Sequence, residues 1–393
     1  MRILQICPIF PPSARNQGGG VIQVVYNVSR EFVARGHEVD VYASSAWDSG
    51  SRQQIRTKIL QVSGIGVHYF PSWFHYYTFQ LTPSILHSLG RRLETYDVIH
   101  IHDFRSFQGI VAAYAALRSG VPYVIQAHGS IFGDRPPLLR GLLRTTTDHT
   151  LGYRVIRKAS QDVALSEAEV QQYLAINVSP EKIFVVPNGI DPLEYSVLPA
   201  SGIFRSRFNI PERTQIVLYL GRIAWSKGLD FLVAGFGRMI RNNRKMDVIM
   251  ILAGPNDGYL SDVRRLVDSL GIGGVVRIVD KLSEEEKVSA YVDASVVVNV
   301  EPRNVFGLVP LEAAACSRPV IVSNGNAIRN LVLKEGLGCA VEYGNTEEFS
   351  QTLKTILDSD GADKYVRSRD IIMKEYTWGN TVDRLLSMYS RLS

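Results

Sequence analysis

The sequence predicts an α/β protein made of two doubly wound domains, each a parallel sheet covered by helices. Three observations carry this. A chain of 393 residues exceeds what one hydrophobic core ordinarily serves. Short β-branched runs alternate along it with helical periodicities, as βαβ units require. That alternation occurs twice, on either side of a Pro- and Gly-rich connector at residues 187–211.

In the first half, strands are expected at residues 2–7, 38–43, 98–102, 123–127, 162–165 and 183–186. A helix over 21–35 has Val21, Val24, Val25, Val28, Phe32 and Val33 on one stripe, and Gly36 ends it. The connector contains Pro187, Asn188, Gly189, Pro192, Pro199, Gly202 and Pro211, and the boundary is set within it, after residue 195. The second series of strands falls at 215–220, 248–253, 275–279, 295–300, 319–322 and 338–341. Their continuous apolar character is that of parallel strands buried on both faces. In such sheets ligands gather at the carboxyl ends of the strands, so the cleft between the two domains is the expected site.

Composition narrows the class. Apolar residues make up 46% and charged residues 21%, which excludes a disordered or fibrous chain. The apolar run 248–253 is strand-length, far short of the roughly 20 residues that cross a bilayer. The segment 2–6 reads as a strand ended by Pro8, Pro11 and Pro12, not as a signal peptide. Cys7, Cys316 and Cys339 are too few and scattered for a disulfide framework or a zinc site, so a reducing cytoplasm is the expected setting. A net charge of +5 favours anionic partners: a nucleotide diphosphate or an anionic membrane surface. No dense basic block occurs, so nucleic acid is not expected.

Several motifs fall at strand ends. In the run 301–316, backbone N–H groups around Phe306, Gly307 and Leu308 suit phosphate or sugar oxygens, and Glu312, about a turn into the following helix, suits a ribose diol. Arg222 and Lys227, five residues apart beside Gly221 and Gly228, suit a diphosphate, the first as a planar fork and the second as a point charge. Gly18, Gly19 and Gly20 lead from the first strand into the first helix, where a backbone can approach a phosphate closely; a plain flexible loop explains them equally. His100 and His102 share one strand face but lack further ligands, so no metal is expected there. His128 ends a strand and precedes Gly129, aimed at the cleft; alone it reads as structural. Asn188-Gly189 reads as a left-handed turn and Ser166-Glu167 as a helix start. The acidic pair Asp358 and Asp360 lies in an expected surface turn and is rejected as a metal site. Phe70, Trp73, Phe74, Tyr76, Tyr77 and Phe79, with Arg91 and Arg92, depart from core alternation. So do Leu138, Leu139, Leu142 and Leu143 with Arg135, Arg140 and Arg144. These clusters suit a membrane interface, and core packing or a dimer contact explains them nearly as well.

The order of residues from Glu301 to Cys316 closely resembles the donor-binding motif of retaining glycosyltransferases of the glycogen-synthase-like family four. The resemblance runs from the Gly19-Gly20 loop and Gly36-His37-Glu38-Val39, through Asp97 to His102, His128-Gly129, Asn188-Gly189 and the Gly-Arg…Lys-Gly pattern, to residues 378–393. It implies a GT-B fold: an acceptor-binding domain of residues 1–195, completed by a C-terminal helix over 378–393 that returns to it, and a donor-binding domain of residues 196–377. It also implies a UDP- or GDP-sugar donor, a glycan or lipid-linked acceptor, anomeric retention and metal-free front-face transfer of a hexose-type sugar. Cell-surface polysaccharide or glycolipid synthesis is the implied setting, on the cytoplasmic face of a membrane. By the same resemblance His128, Arg222 and Lys227 act in catalysis. Gly19, Gly20, Leu282, Asn304, Val305, Phe306, Gly307, Leu308 and Glu312 join them at the donor, and His102 and Asp103 lie on the acceptor side. One position departs: Asn304 stands where the family carries a glutamate, and Glu301 is the alternative carboxylate. A nucleotide-sugar epimerase and a catalytically silent nucleotide-sugar-binding subunit are the rival readings.

Overall fold

The structure is a computed structural model and describes residues 1–12, 20–46, 54–76, 79–132, 138–243, 245–303, 306–359 and 365–392. It comprises two compact units, Met1–Asn188 with Trp378–Ser393, and Gly189–Thr377. The division falls ahead of the expected 195/196 because Ile190 and Tyr195 are buried in the second unit's core and the Ile190 amide bonds the Tyr376 carbonyl.

The first unit contains β1 (Arg2–Ile9), β2 (Glu38–Ser44), β3 (Ile59–Val62), β4 (Ile65–Phe70), β5 (Phe74–Tyr76), β6 (Phe79–Leu81), β7 (Val98–Ile101), β8 (Tyr123–Gln126), β9 (Gln161–Ala164) and β10 (Ile183–Val185). Eight strands form one sheet in the order β10-β9-β8-β7-β1-β2-β4-β3, parallel except for β3 against β4, while β5 and β6 pair as a separate hairpin. The sequence reading misses β3 to β6. β3 alternates exposed with half-buried residues at the sheet edge, so it lacks the continuous apolar run of an interior strand. The helix Gly20–Ala34 carries the chain from β1 to β2, burying Val24, Val25, Val28 and Phe32. The C-terminal helix Trp378–Tyr389 packs on it: Tyr389 stacks on Phe32 at 5.8 Å between ring centres, and Arg35 bonds the Gly379 carbonyl.

The second unit contains β11 (Gln215–Leu220), β12 (Val248–Ala253), β13 (Val276–Val279), β14 (Val296–Asn299), β15 (Val320–Ser323) and β16 (Gly338–Val341), all parallel, in the order β13-β12-β11-β14-β15-β16. Cores on both faces bury nearly every strand residue of β11, β12, β14 and β15, which explains their unbroken apolar runs. Each sheet grows outward in two directions from its first strand. The order therefore reverses between β1 and β7 in the first unit and between β11 and β14 in the second. At such a reversal neighbouring connections diverge and leave the carboxyl strand ends open to a ligand.

Candidate active site

In the second unit, the loops that leave β11 and β14 meet at the reversal. A short helical turn, Trp225–Lys227, ends at Gly228, whose φ is +67°. A Cβ on Gly228 would stand 2.6 Å from the Val300 carbonyl oxygen, so only glycine lets the two loops pack backbone to backbone. This contact places Lys227 beside Glu301, and the Lys227 Nζ bonds Glu301 Oε2 at 2.7 Å. Glu301 is only 8% exposed, and its backbone carbonyl accepts from the Ser323 hydroxyl. Arg222 leaves the same β11 end, its carbonyl accepting from the Tyr219 hydroxyl at 2.9 Å, and its guanidinium pairs with exposed Asp257. Both expected diphosphate cations thus carry an acidic partner.

Glu312 lies on the helix Leu308–Ala315, whose N-cap, Gly307, offers no capping side chain. Two donors hold its carboxylate: Lys287 Nζ reaches one oxygen at 3.1 Å and the Tyr291 hydroxyl the other at 2.6 Å. Burial pulls the Lys287 ammonium down, but Glu312 and Glu284, the latter at 2.6 Å, outweigh it and hold Lys287 above the usual lysine range. Burial, with the Glu312 charge behind it, raises the Tyr291 hydroxyl well above its ordinary value, so it remains a donor. Leu282 and Phe306 pack half-buried against the core that holds Tyr291 and Leu311. Asn304 and Val305 lie outside the described residues, as do Gly18 and Gly19.

The first unit's reversal carries the histidines. β7 ends at Ile101, so His102 stands just past the strand, yet its ring remains stacked on that of His100 at 4.2 Å. His102 bonds Gln5 of β1 through Nε2 at 2.5 Å and His128 through Nδ1 at 3.0 Å. Burial lowers the pKa of His100 and His128 to about 3 and that of His102 well below its usual value, so all three rings are neutral. His128 has a left-handed backbone, φ +49°, which turns the chain out of β8. Beneath that turn the buried Glu169 accepts from the amides of Gly129 and Leu165, at 2.5 and 2.7 Å. Desolvation raises its pKa to about 7 against those two amides. Asp103, φ +140°, accepts the Arg105 amide at 2.9 Å, and burial raises its pKa. Gly20 opens its helix, and a Cβ there would meet nothing within 4 Å among the described residues.

The structure therefore joins His102 to His128 and places Lys227 against Glu301. Sequence reasoning missed Gln5, Glu169, Asp257, Lys287, Tyr291 and Tyr389. Lys287 and Tyr291 had a signal: Ser283-x-x-Glu286 forms a capping box that opens the helix Glu284–Asp293, and their i, i+4 spacing puts both on one face. Gln5 and Tyr389 had none, since their partners are 97 and 289 residues away. The aromatic cluster divides. Phe70 is core, whereas Trp73 and Phe74 are exposed; the side chain of Tyr76 and all of Tyr77 lie outside the description. So do the side chains of Leu138, Leu139, Arg140, Leu142 and Leu143, all of Arg135, and Asp360 of the rejected acidic pair. Among the described residues no group of three or more His, Cys, Asp or Glu could hold a metal ion, and no helix is long and apolar enough to cross a membrane.

Two family models match the chain: Glycosyltransferase Family 4 over residues 18–193 and Glycosyl transferases group 1 over residues 202–371. A D-inositol 3-phosphate glycosyltransferase of Kineococcus radiotolerans is 28% identical over 79% of this chain and 75% of its own. An uncharacterized glycosyltransferase of Methanocaldococcus jannaschii is 25% identical over 99% of this chain and 98% of its own. Among solved structures, Anabaena HepE in complex with UDP and glucose superposes with a TM-score of 0.79 at 18% identity, over 100% of both chains. That likeness bears on the fold alone, which is GT-B.

Proposed function

Because this chain belongs to the group 1 glycosyltransferases of family 4 and so transfers a sugar from a nucleotide sugar, we propose that it moves a hexose-type sugar from a UDP- or GDP-sugar to a glycan or lipid-linked acceptor, with retention and without a metal. The observation that carries this is the placement of Lys227 and Glu301 where the second sheet reverses direction. The uncapped start of the helix Leu308–Ala315 adds backbone donors for an anion. A solved relative of the fold that binds UDP and glucose favours a uridine donor.

In the reaction, the bond between the sugar C1 and the diphosphate oxygen breaks as the acceptor oxygen bonds C1 on the same face. The acceptor's proton passes to the departing phosphate, so no protein carboxylate need take it. Negative charge grows on that phosphate. Arg222 and Lys227 stabilise it electrostatically, assisted by the amides near Phe306 to Leu308. Glu312, held by Lys287 and Tyr291, retains lone pairs for a ribose diol. His128, neutral, hydrogen-bonds a sugar hydroxyl, with His102 and Asp103 on the acceptor side. Asn304 takes the place of the family's glutamate and sets sugar choice, since an amide both donates and accepts.

The exposed Trp73 and Phe74, with Arg91 and Arg92 ending the helix Ile85–Arg92, suit an anionic membrane that presents a lipid-linked acceptor for cell-surface glycan synthesis on the cytoplasmic side. A thermal-shift panel of UDP- and GDP-sugars tests the donor, because a ligand that binds the folded state raises its transition by mass action. One of them is expected to raise the transition and to label an acceptor. If none shifts it, the donor assignment fails, and recovery of an epimerised sugar would replace transfer with epimerisation.

A further inference from the structure

The histidine chain does not end at the strands. Tyr389, the last residue of the C-terminal helix, places its hydroxyl 2.7 Å from His100 Nδ1. From there the contacts run without interruption to the site: His100 stacks on His102, and His102 both stacks on His128, at 5.3 Å between ring centres, and bonds it. Gln5 closes the other edge of His102. Tyr389, His100, His102 and Gln5 are each at most 1% exposed, whereas His128 is only partly buried at the strand end.

The hydrogen bonds assign the protons. Gln5 presents its amide oxygen, so His102 carries its proton on Nε2 and accepts at Nδ1. His128 then donates from Nε2, which leaves its Nδ1 as a lone-pair acceptor. Burial holds the Tyr389 hydroxyl far above its usual pKa, so it stays neutral, and its hydrogen bond with His100 Nδ1 fixes that ring's plane against His102.

We propose that Tyr389 is a positioning residue for sugar transfer: through the stacked rings of His100 and His102 it fixes the orientation of His128, whose Nδ1 the Gln5–His102 hydrogen bond leaves as the acceptor for a sugar hydroxyl. The inference rests on the reading of His128 given above. It gives the C-terminal helix a role in the chemistry beyond closing the first unit's core. An acceptor nitrogen pulls on a sugar O–H without competing for the diphosphate, which a charged imidazolium would do.

The test is Tyr389→Phe in the full chain, read by nitrogen-15 NMR of the histidine side chains and by steady-state transfer kinetics. The variant keeps the ring and its stacking on Phe32, so it is expected to fold. His128 should show the Nε2–H tautomer in both chains, with its ring resonances shifted in the variant as the stack relaxes, kcat about tenfold lower and the donor KM unchanged. Gln5→Leu removes the bond that sets the His102 proton and should instead give His128 a mixture of tautomers. Unchanged His128 resonances in the Tyr389→Phe chain overturn the proposal, even if activity falls, since the effect would not travel through the rings. If the parent chain transfers no sugar, the functional reading fails, while the NMR comparison still decides the coupling.

Discussion

Lys227 pairs with Glu301 at 2.7 Å, joining the loops that follow β11 and β14 where the second sheet changes direction. Removing the lysine therefore does two things at once. Lys227→Ala should abolish turnover and, by leaving the nearly buried Glu301 unpaired, lower stability by about 1–3 kcal/mol. The double variant Lys227→Ala with Glu301→Gln removes the stranded charge. It should recover most of the stability, measured by denaturant unfolding, but none of the transfer. Recovered activity would mean that Lys227 serves the fold and not the diphosphate.

Glu312 separates binding from support in the same way. Tyr291 and Lys287 hold its two oxygens, so Glu312→Ala leaves a buried hydroxyl without an acceptor and costs about 1–3 kcal/mol. It should also erase the thermal shift produced by the nucleotide sugar. Tyr291→Phe removes one support and no ligand contact. Its donor-induced shift should persist, weakened at most severalfold in apparent Kd. A Glu312→Ala chain that still responds fully to the donor would remove the ribose assignment.

Two buried acids of the first unit should cost it stability as pH rises, opposing the buried neutral histidines, whose lowered pKa values add stability as pH climbs towards 6.5. Asp162 is fully buried on β9 with no hydrogen-bond partner for either oxygen among the described residues, and desolvation raises its pKa well above 3.8. Glu169 is raised from 4.5 to about 7, by the same cause. Each acid binds its proton more tightly folded than unfolded, so its contribution is complete below the unfolded pKa and is lost as pH climbs through the folded one. For Glu169 that window is about pH 4.5 to 7. Asp162→Val should flatten Asp162's share of the slope and stabilise the protein by about 1–3 kcal/mol at pH 8. An Asp162→Val chain that keeps the parent's pH dependence of unfolding free energy between pH 5 and pH 8 would contradict the Asp162 assignment.

What the sequence made legible follows from which signals are local. Buried parallel strands announce themselves as apolar runs, and β11, β12 and β16 match their expected bounds to the residue. Motif residues at strand ends were legible because the doubly wound sheet puts every such end on one edge. Edge strand β3 and the hairpin β5–β6 escaped, since half-exposed antiparallel pairs depend on partners that periodicity does not name. The residues that orient the site escaped for a related reason. Tyr389 reaches His100 across 289 positions, and Glu169 caps a turn formed 40 residues earlier, so each is an ordinary helical residue until the fold is known. Lys287 and Tyr291 mark the boundary between these cases: their helix and shared face were readable, but their target on another helix was not.

The hairpin β5–β6 gives the proposed membrane contact a direct test. Trp73 is 76% exposed and Phe74 55%, a large apolar area for water to cover on so short an element. Inserting an aromatic side chain into an interface contributes about 1.5–3 kcal/mol, and each nearby arginine about 1 kcal/mol against anionic lipid. The paired change Trp73→Asp and Phe74→Asp should therefore weaken sedimentation with phosphatidylserine vesicles by more than tenfold. Arg91→Glu with Arg92→Glu should weaken it less and remove much of its salt dependence. Neither pair touches the cores, so melting temperature and transfer to a water-soluble acceptor should stay within error of the parent. Vesicle binding that survives both pairs would place any membrane contact elsewhere on the chain and leave the exposed aromatics to another partner.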